Sequence, residues 1–470
     1  MQSSKSVDDR SPIKLVALSS YVGATIEWYD FFLYGTAAAV IFNQLFFPAS
    51  DPSLGTILSL GSLGVGYLAR PIGGMVIAHF GDRIGRKKML VLTLMIMALA
   101  TVAVGLLPTY EQVGPLASIL LMVCRLLQGI GIGGEYGGAV LITVEFSPRR
   151  RRGFFGSFTQ LGVASGLLLA AGVFSAVSSL TSDEAFMAWG WRVPFLASFV
   201  LLLVGLFIRM AISESPAFQR VRQEGAQERV PLVSLLRTQR RATILSIGHR
   251  LAEACMYNLY SVYILGYLAD HLDVPRSIAI TGVVISAVIM HPTTVGFGRL
   301  SDTIGRKAVY LTGTVASAVL IVPAFLLIET RSPALIWLAL ALGLGLGWAA
   351  MYAPLAAWWT ELFTTNVRYS GVSMAYQLGG AIGGGFTPVI GAALLILADG
   401  RFWAIAVFAI AICLVSTLAG ALAPETFRSD VQESIGEPSY SDRLLASARS
   451  LPVPPGADLR NDDEGSPRCL

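Results

Sequence analysis

Charge is what this sequence has least of. Only 14% of its 470 residues are Asp, Glu, Lys or Arg, while 54% are apolar and the mean hydropathy is +0.65. That balance excludes an ordinary water-soluble domain and makes lipid the solvent for most of the chain. Cysteine is scarce too. Cys124, Cys255, Cys413 and Cys469 stand in no CxxC or Cys/His ligand spacing, and three lie inside apolar runs, so neither a disulfide framework nor a metal site is expected. No GxxxxGK[ST] phosphate loop occurs, which excludes a nucleotide-driven pump. There is no GxSG, and the one Gly-Asp pair, Gly81-Asp82, sits in a basic loop, so an intramembrane protease fits poorly. Nucleic acid is not an expected partner, because the basic residues behind the net charge of +4 follow membrane topology rather than one face.

What the sequence has is long apolar runs, such as Met89 to Leu107 and Phe195 to Phe207, each able to cross a bilayer as a helix that satisfies its own backbone. No short apolar segment with a small-residue cleavage site precedes the first run, so that helix is expected to act as an uncleaved insertion signal. Breaks marked by charge, Pro or Gly predict spans near 15–46, 54–80, 89–108, 114–143, 153–180 and 189–212. Six more are predicted near 242–270, 277–298, 307–328, 333–361, 370–398 and 401–423. The fold class is therefore all-α, about twelve transmembrane helices in two six-helix bundles, 15–212 and 242–423. Around them lie a polar segment 1–14, a central loop 213–241 and a polar tail 424–470 of disordered composition.

Orientation follows from the basic residues, since positive loops stay in the cytoplasm. Arg83 to Lys88 and Arg149 to Arg152 are strongly basic, whereas Pro48 to Ser53, Pro108 to Gly114 and Thr181 to Ala188 contain no Lys or Arg. Both termini and the central loop are expected inside. The halves also repeat. Asp82, Gly85, Arg86 and Lys87 after span two correspond to Asp302, Gly305, Arg306 and Lys307 after span eight. Arg151, Gln160, Gly162 and Gly166 in span five correspond to Arg368, Gln377, Gly379 and Gly383 in span eleven. Parallel six-span repeats mark a two-bundle transporter whose site lies between the repeats near the midplane.

The Asp-Arg-x-Gly-Arg-Lys loop resembles the signature of the major facilitator superfamily. Within it, Glu27-Trp-Tyr-Asp-Phe-Phe-Leu-Tyr-Gly35, the run Arg125 to Gly138, Trp189 to Phe195 and Gly383 to Pro388 resemble the metabolite:proton symporter family, and its shikimate-type branch most. That resemblance implies proton-coupled uptake of a small organic acid across a bacterial inner membrane by alternating access. The chain is not expected to be an enzyme or to need a cofactor; protons and the acid are its partners, and it is expected to act as a monomer. It also implies that the two signature loops form a cytoplasmic gate. Asp82 is expected to accept bonds from the start of span eleven, near Arg368 to Gly371, while Arg86 and Lys87 meet acidic groups. Ala78 and Thr303 depart from the signature, which makes the second loop the weaker latch in prospect.

Each ionisable side chain at a helix centre costs at least roughly 2.5 kcal/mol to insert, so each needs a partner or a task. Glu27 lies thirteen residues from Lys14 and Arg70 eleven from Gly81, which sets both roughly 16–20 Å from the cytoplasmic end. Glu27 and Asp30, three apart, are expected to share a face where two carboxylates disfavour joint ionisation, which suits a proton carrier. Arg70 is expected either to bind a substrate carboxylate through its two-pronged fork or to neutralise Asp30 permanently. Arg125 and Glu135 are too far apart on span four to pair, and the glycines between them suit close helix approach. Arg125 is a substrate-contact candidate or an interhelical pair; Glu135 is a proton-coupling candidate. Arg250 and Glu253, with Tyr257 on roughly the same face, are either the second bundle's half of the site or a self-neutralising pair. Gln160 and Gln377 either bind a hydroxylated acid or tie helices together, and His291 is either a proton relay or part of a helix kink at Pro292.

Overall fold

The computed structural model describes residues 12–48, 52–223 and 231–427, all within one compact unit. Residues 1–11 and 428–470, with Cys469 and the expected tail beyond Phe427, lie outside the described residues. Among the described residues the structure is helical. Twelve long helices follow one another: α1 Ile13–Val40, α2 Pro52–Ile84, α3 Arg86–Leu106, α4 Pro115–Phe146, α5 Arg152–Leu180 and α6 Arg192–Met210. The second set is α7 Arg240–Asn258, carried on to His271 through π-helical turns, α8 Arg276–Ile304, α9 Arg306–Glu329, α10 Pro333–Leu362, α11 Arg368–Leu397 and α12 Trp403–Leu422. Short helices Pro216–Gln223 and Pro231–Thr238 lie between the sets.

Nine of the twelve are long and apolar enough to cross a membrane by length and composition alone. The remaining three, α1, α2 and α7, carry Glu27 and Asp30, Arg70, and Arg250 and Glu253. Lower hydropathy thus falls on three helices with charge in mid-span, whereas α4, with Arg125 and Glu135, is apolar enough all the same.

Glycine sets how closely the helices approach. A Cβ at Gly133 of α4 would strike the backbone of Gly73 and Gly74 in α2, so these two helices touch main chain to main chain beside Arg70. The same device recurs in each half. A Cβ at Gly166 of α5 would strike the Cβ and backbone of Trp28 in α1, and one at Gly383 of α11 the backbone of Leu251 in α7. Across the two bundles α2 packs on α11 and α5 on α8, a pairing that exchanges under the repeat symmetry.

Candidate functional site

A cavity of about 960 Å³ lies between the bundles. Its walls reach Val40, Ser179 and Arg276 at the helix ends away from the chain termini, and its floor carries Arg70, Arg250, Tyr352, Tyr376 and Gln377. Below the floor the bundles are tied together. Tyr136 of α4 stacks on Tyr376 of α11 with ring centroids 3.5 Å apart. Gln160 of α5 donates to the Tyr352 carbonyl at 3.0 Å, Gln377 of α11 donates to the Gly133 carbonyl at 2.8 Å, and the Tyr369 hydroxyl donates to the Gly134 carbonyl at 2.7 Å. The cavity is therefore closed toward the side that holds the signature loops.

Two arginines stand on the floor, one from each bundle. Arg70 lies 3.7 Å from Glu27, with its guanidinium carbon 5.2 Å from the Phe31 ring, 5.3 Å from Tyr67 and 5.8 Å from Trp28. Arg250 pairs closely with Glu253, which also accepts from the Trp348 indole at 2.6 Å. Its guanidinium carbon lies 3.9 Å from the Tyr376 ring and 5.5 Å from Tyr352. Tyr257 lines the same wall, 5.2 Å from Trp348, and its hydroxyl has no hydrogen-bond partner among the described residues.

Other candidates lie elsewhere. Asp30 does not meet Arg70: it accepts from the Ser198 hydroxyl of α6 at 2.6 Å, and Glu27 takes the arginine instead. The i, i+3 spacing turns about 60° around a helix, and that angle separates the neighbour α2 from the neighbour α6. Arg125 does not line the cavity either. Its guanidinium donates to Gln128 at 3.2 Å and lies over the Tyr34 ring at 4.2 Å, filling the space Gly66 leaves between α2 and α4. Glu135 is buried away from the cavity, bound by both arms of Arg209 and by the Thr93 hydroxyl at 2.7 Å. His291 bridges the bundles, its Nε2 2.8 Å from the Ser165 hydroxyl, which also meets Tyr21 at 2.9 Å.

The signature loops are built alike. Gly85 and Gly305 are single-residue connections at φ +127° and +105°, where a side chain would be strained. Asp82 accepts from the backbone N–H of Tyr369 at 3.2 Å and of Ser370 at 2.9 Å, and from the Ser370 hydroxyl at 2.8 Å, at the start of α11. Asp302 accepts from the N–H of Gly153 and of Phe154, both at 2.8 Å, at the start of α5. The one bond that Asp302 lacks relative to Asp82 comes from Phe154 standing where the other copy has Ser370; Thr303 bonds only within its own helix. Arg86 and Arg368 share Glu145; Arg306 and Arg152 share Glu361. The structural partner of Arg368 is thus Arg152, not Arg151, which ends the 3-10 turn Arg149–Arg151 ahead of α5. Glu214 takes the Lys87 N–H, and Glu425 takes those of Arg306 and Lys307 at 3.0 Å. Sequence reading missed Glu145, Glu361, Glu214, Glu425 and Arg209. For Glu145 and Glu361 the signal was the repeat itself, since Glu145-x6-Arg152 and Glu361-x6-Arg368 share one spacing.

Residues 16–231 match the family described as Sugar (and other) transporter, and residues 245–438 match the Major Facilitator Superfamily. The chain is 37% identical to the shikimate transporter of Escherichia coli K12 over 430 residues, covering 89% of this chain and 96% of that one. It is 38% identical to the E. coli K12 inner membrane metabolite transport protein YhjE, covering 80% and 87%. With the E. coli K12 proline/betaine transporter it shares 33%, covering 91% and 88%. Among solved structures, a double-tryptophan mutant of XylE superposes with a TM-score of 0.73 at 18% identity, covering 90% of this chain and 98% of that one. The partially occluded inward-open form of the E. coli xylose transporter XylE gives 0.63 at 18%, covering 89% and 99%. The chain is a multi-pass membrane transporter that belongs to the major facilitator superfamily, in the branch of metabolite transporters that includes the shikimate transporter.

Proposed function

We propose that this carrier brings a small organic acid into a bacterial cell by proton symport across the inner membrane. The observation that carries the reading is the pair of arginines, Arg70 and Arg250, that the two bundles set on one cavity floor. A guanidinium offers a planar fork to a carboxylate, and a ligand held by both bundles couples its binding to their relative motion. The proton is carried by a carboxylate of α1, Glu27 or Asp30, both buried. With the signature loops inside, as the basic breaks imply, the conformation is outward-facing.

A zwitterion such as a betaine is the second reading. Trp28, Tyr257 and Trp348 line one wall and offer aromatic faces to a quaternary ammonium. Arg250 weighs against it, because its guanidinium already covers Tyr376 and Glu253 is committed to Arg250 and Trp348. The test is uptake of labelled acids and zwitterions into vesicles with an imposed proton gradient. Shikimate or a related acid accumulates when the outside is acidified, and an uncoupler abolishes accumulation. Accumulation that survives the uncoupler and follows a sodium gradient, or is confined to zwitterions, overturns the proposal.

A further inference from the structure

We infer that Arg276 is an outer capture point for the anionic substrate, one that speeds its passage between the outside solution and the cavity floor. This rests on the proposed acid substrate and on the orientation that the basic breaks imply. Among the described residues, the charged side chains that line the cavity are Arg70, Arg250 and Glu253 at its deep end and Arg276 at its mouth. The lining between them is uncharged. It runs from Arg250 to Gly266 on α7 and from Val163 to Ser179 on α5, sixteen residues in each case, so the cavity is roughly 20 Å deep. A small acid held at the floor cannot also touch Arg276, and the mouth is a separate place.

Arg276 stands where two electrostatic rules disfavour a cation. It lies at an outer helix end, whereas basic residues gather inside, and it is the first residue of α8, the positive end of that helix dipole. Arg331 and Arg401 also fall at outer helix ends, but neither lines the cavity. The carboxylate beside Arg276 is Asp270, 3.5 Å away, with the two side chains 76% and 73% exposed. Solvent leaves such a pair weak, so the guanidinium stays open to an arriving anion. At the outer end of α5, Ser175, Ser178 and Ser179 line the same cavity and share one helix face. Their hydroxyls can donate to a carboxylate or bond the hydroxyls of a polyhydroxylated acid.

An anion crosses the field of Arg276 on the way in and on the way out, while its equilibrium affinity is set at the floor. Removing the charge therefore slows association and dissociation together and leaves Kd unchanged, which a structural role would not do. In the experiment, shikimate is mixed with purified full-length protein by stopped flow, and binding is followed by tryptophan fluorescence, since Trp28 and Trp348 line the cavity. At low salt Arg276→Gln slows both rates about fivefold, the worth of one unit charge at contact in a water-like dielectric, and Arg276→Glu about twenty-five-fold. Arg276→Lys keeps the wild-type rates. At about 1 M salt, where charges are screened within about 3 Å, all variants converge on wild type. Asp270→Asn, which removes the competing carboxylate, speeds both rates. Wild-type rates in Arg276→Glu at low salt, a slowing that high salt does not remove, or a Kd that weakens as the charge is lost overturns the inference. Failure to bind shikimate or any other organic acid tried sinks the substrate proposal and this inference with it, whereas acid binding that ignores the charge at position 276 sinks the inference alone.

Discussion

At the scale of single residues, this molecule assigns different work to side chains of one type. Arg70 and Arg250 face the cavity, Arg125 and Arg209 are enclosed between helices, and Arg86 and Arg368 belong to the gate. Of these six, only the first pair lines the cavity. Arg70→Lys keeps a positive charge for Glu27 but loses the fork and the flat face held by the aromatic rings. Loss of a charge-assisted hydrogen bond is worth about 1.5–3 kcal/mol, so apparent affinity falls roughly tenfold to a hundredfold in exchange and in accumulation alike. Unchanged affinity in an exchange assay would remove Arg70 from the site. Asp30→Asn separates the two carboxylates of α1. With Glu27 as carrier, this variant still accumulates substrate, because Asp30 faces Ser198 rather than the cavity. Accumulation lost while equal-pH exchange persists assigns the proton to Asp30.

At the scale of elements, the gate consists of helix ends meeting carboxylates. Asp82 and Asp302 each take two N–H groups from the first turn of a helix in the other bundle, which puts negative charge at the positive end of a helix. These bonds exist only while that side is closed. Asp82→Asn leaves the basic loop and hence insertion intact, but it removes about 1–3 kcal/mol from the closed-gate state alone. The population moves toward the opposite conformation and turnover slows, as a transport assay on correctly inserted protein reads out. Transport at the wild-type rate reduces the loop to a retention signal. The helices and this loop were legible in the sequence because hydropathy is local and the motif recurs in both halves. The partners of the charges were less so. Spacing along α1 gave the angle between Glu27 and Asp30 but not which neighbouring helix each would meet. Likewise nothing local to Arg125 or Glu135 distinguishes a cavity wall from a helix contact, whereas the repeated Glu-x6-Arg spacing did hold the gate's acidic partners.

At the scale of the whole molecule, two bundles touch at their signature-loop ends and part toward the other side. The contact between α5 and α8 is close enough to exclude side chains: a Cβ at Gly153 would strike the Gly298 carbonyl, and the Cβ position at Gly298 lies 2.7 Å from Cβ of Ser157. Such an interface is either made or broken, with little room between, because packed surfaces have few intermediate arrangements. Transport through the central cavity requires it to break. A bond across it therefore arrests the cycle with the cavity still accessible from the opposite side. Ser157→Cys combined with Gly298→Cys places two thiols there, and a disulfide needs Cβ atoms about 3.5–4.5 Å apart, so α8 must first back away from Ser157 and from the Gly153 carbonyl, which lies 2.6 Å from the Gly298 Cβ position, by roughly 1 Å. The buried Cys124, Cys255 and Cys413 are replaced beforehand, along with Cys469, so that the new pair alone oxidises. Oxidation then stops both accumulation and exchange while substrate binding measured on purified protein persists, and reduction restores transport. Exchange that continues with the bond formed would mean that α5 and α8 stay together throughout the cycle, and the passage would have to open elsewhere.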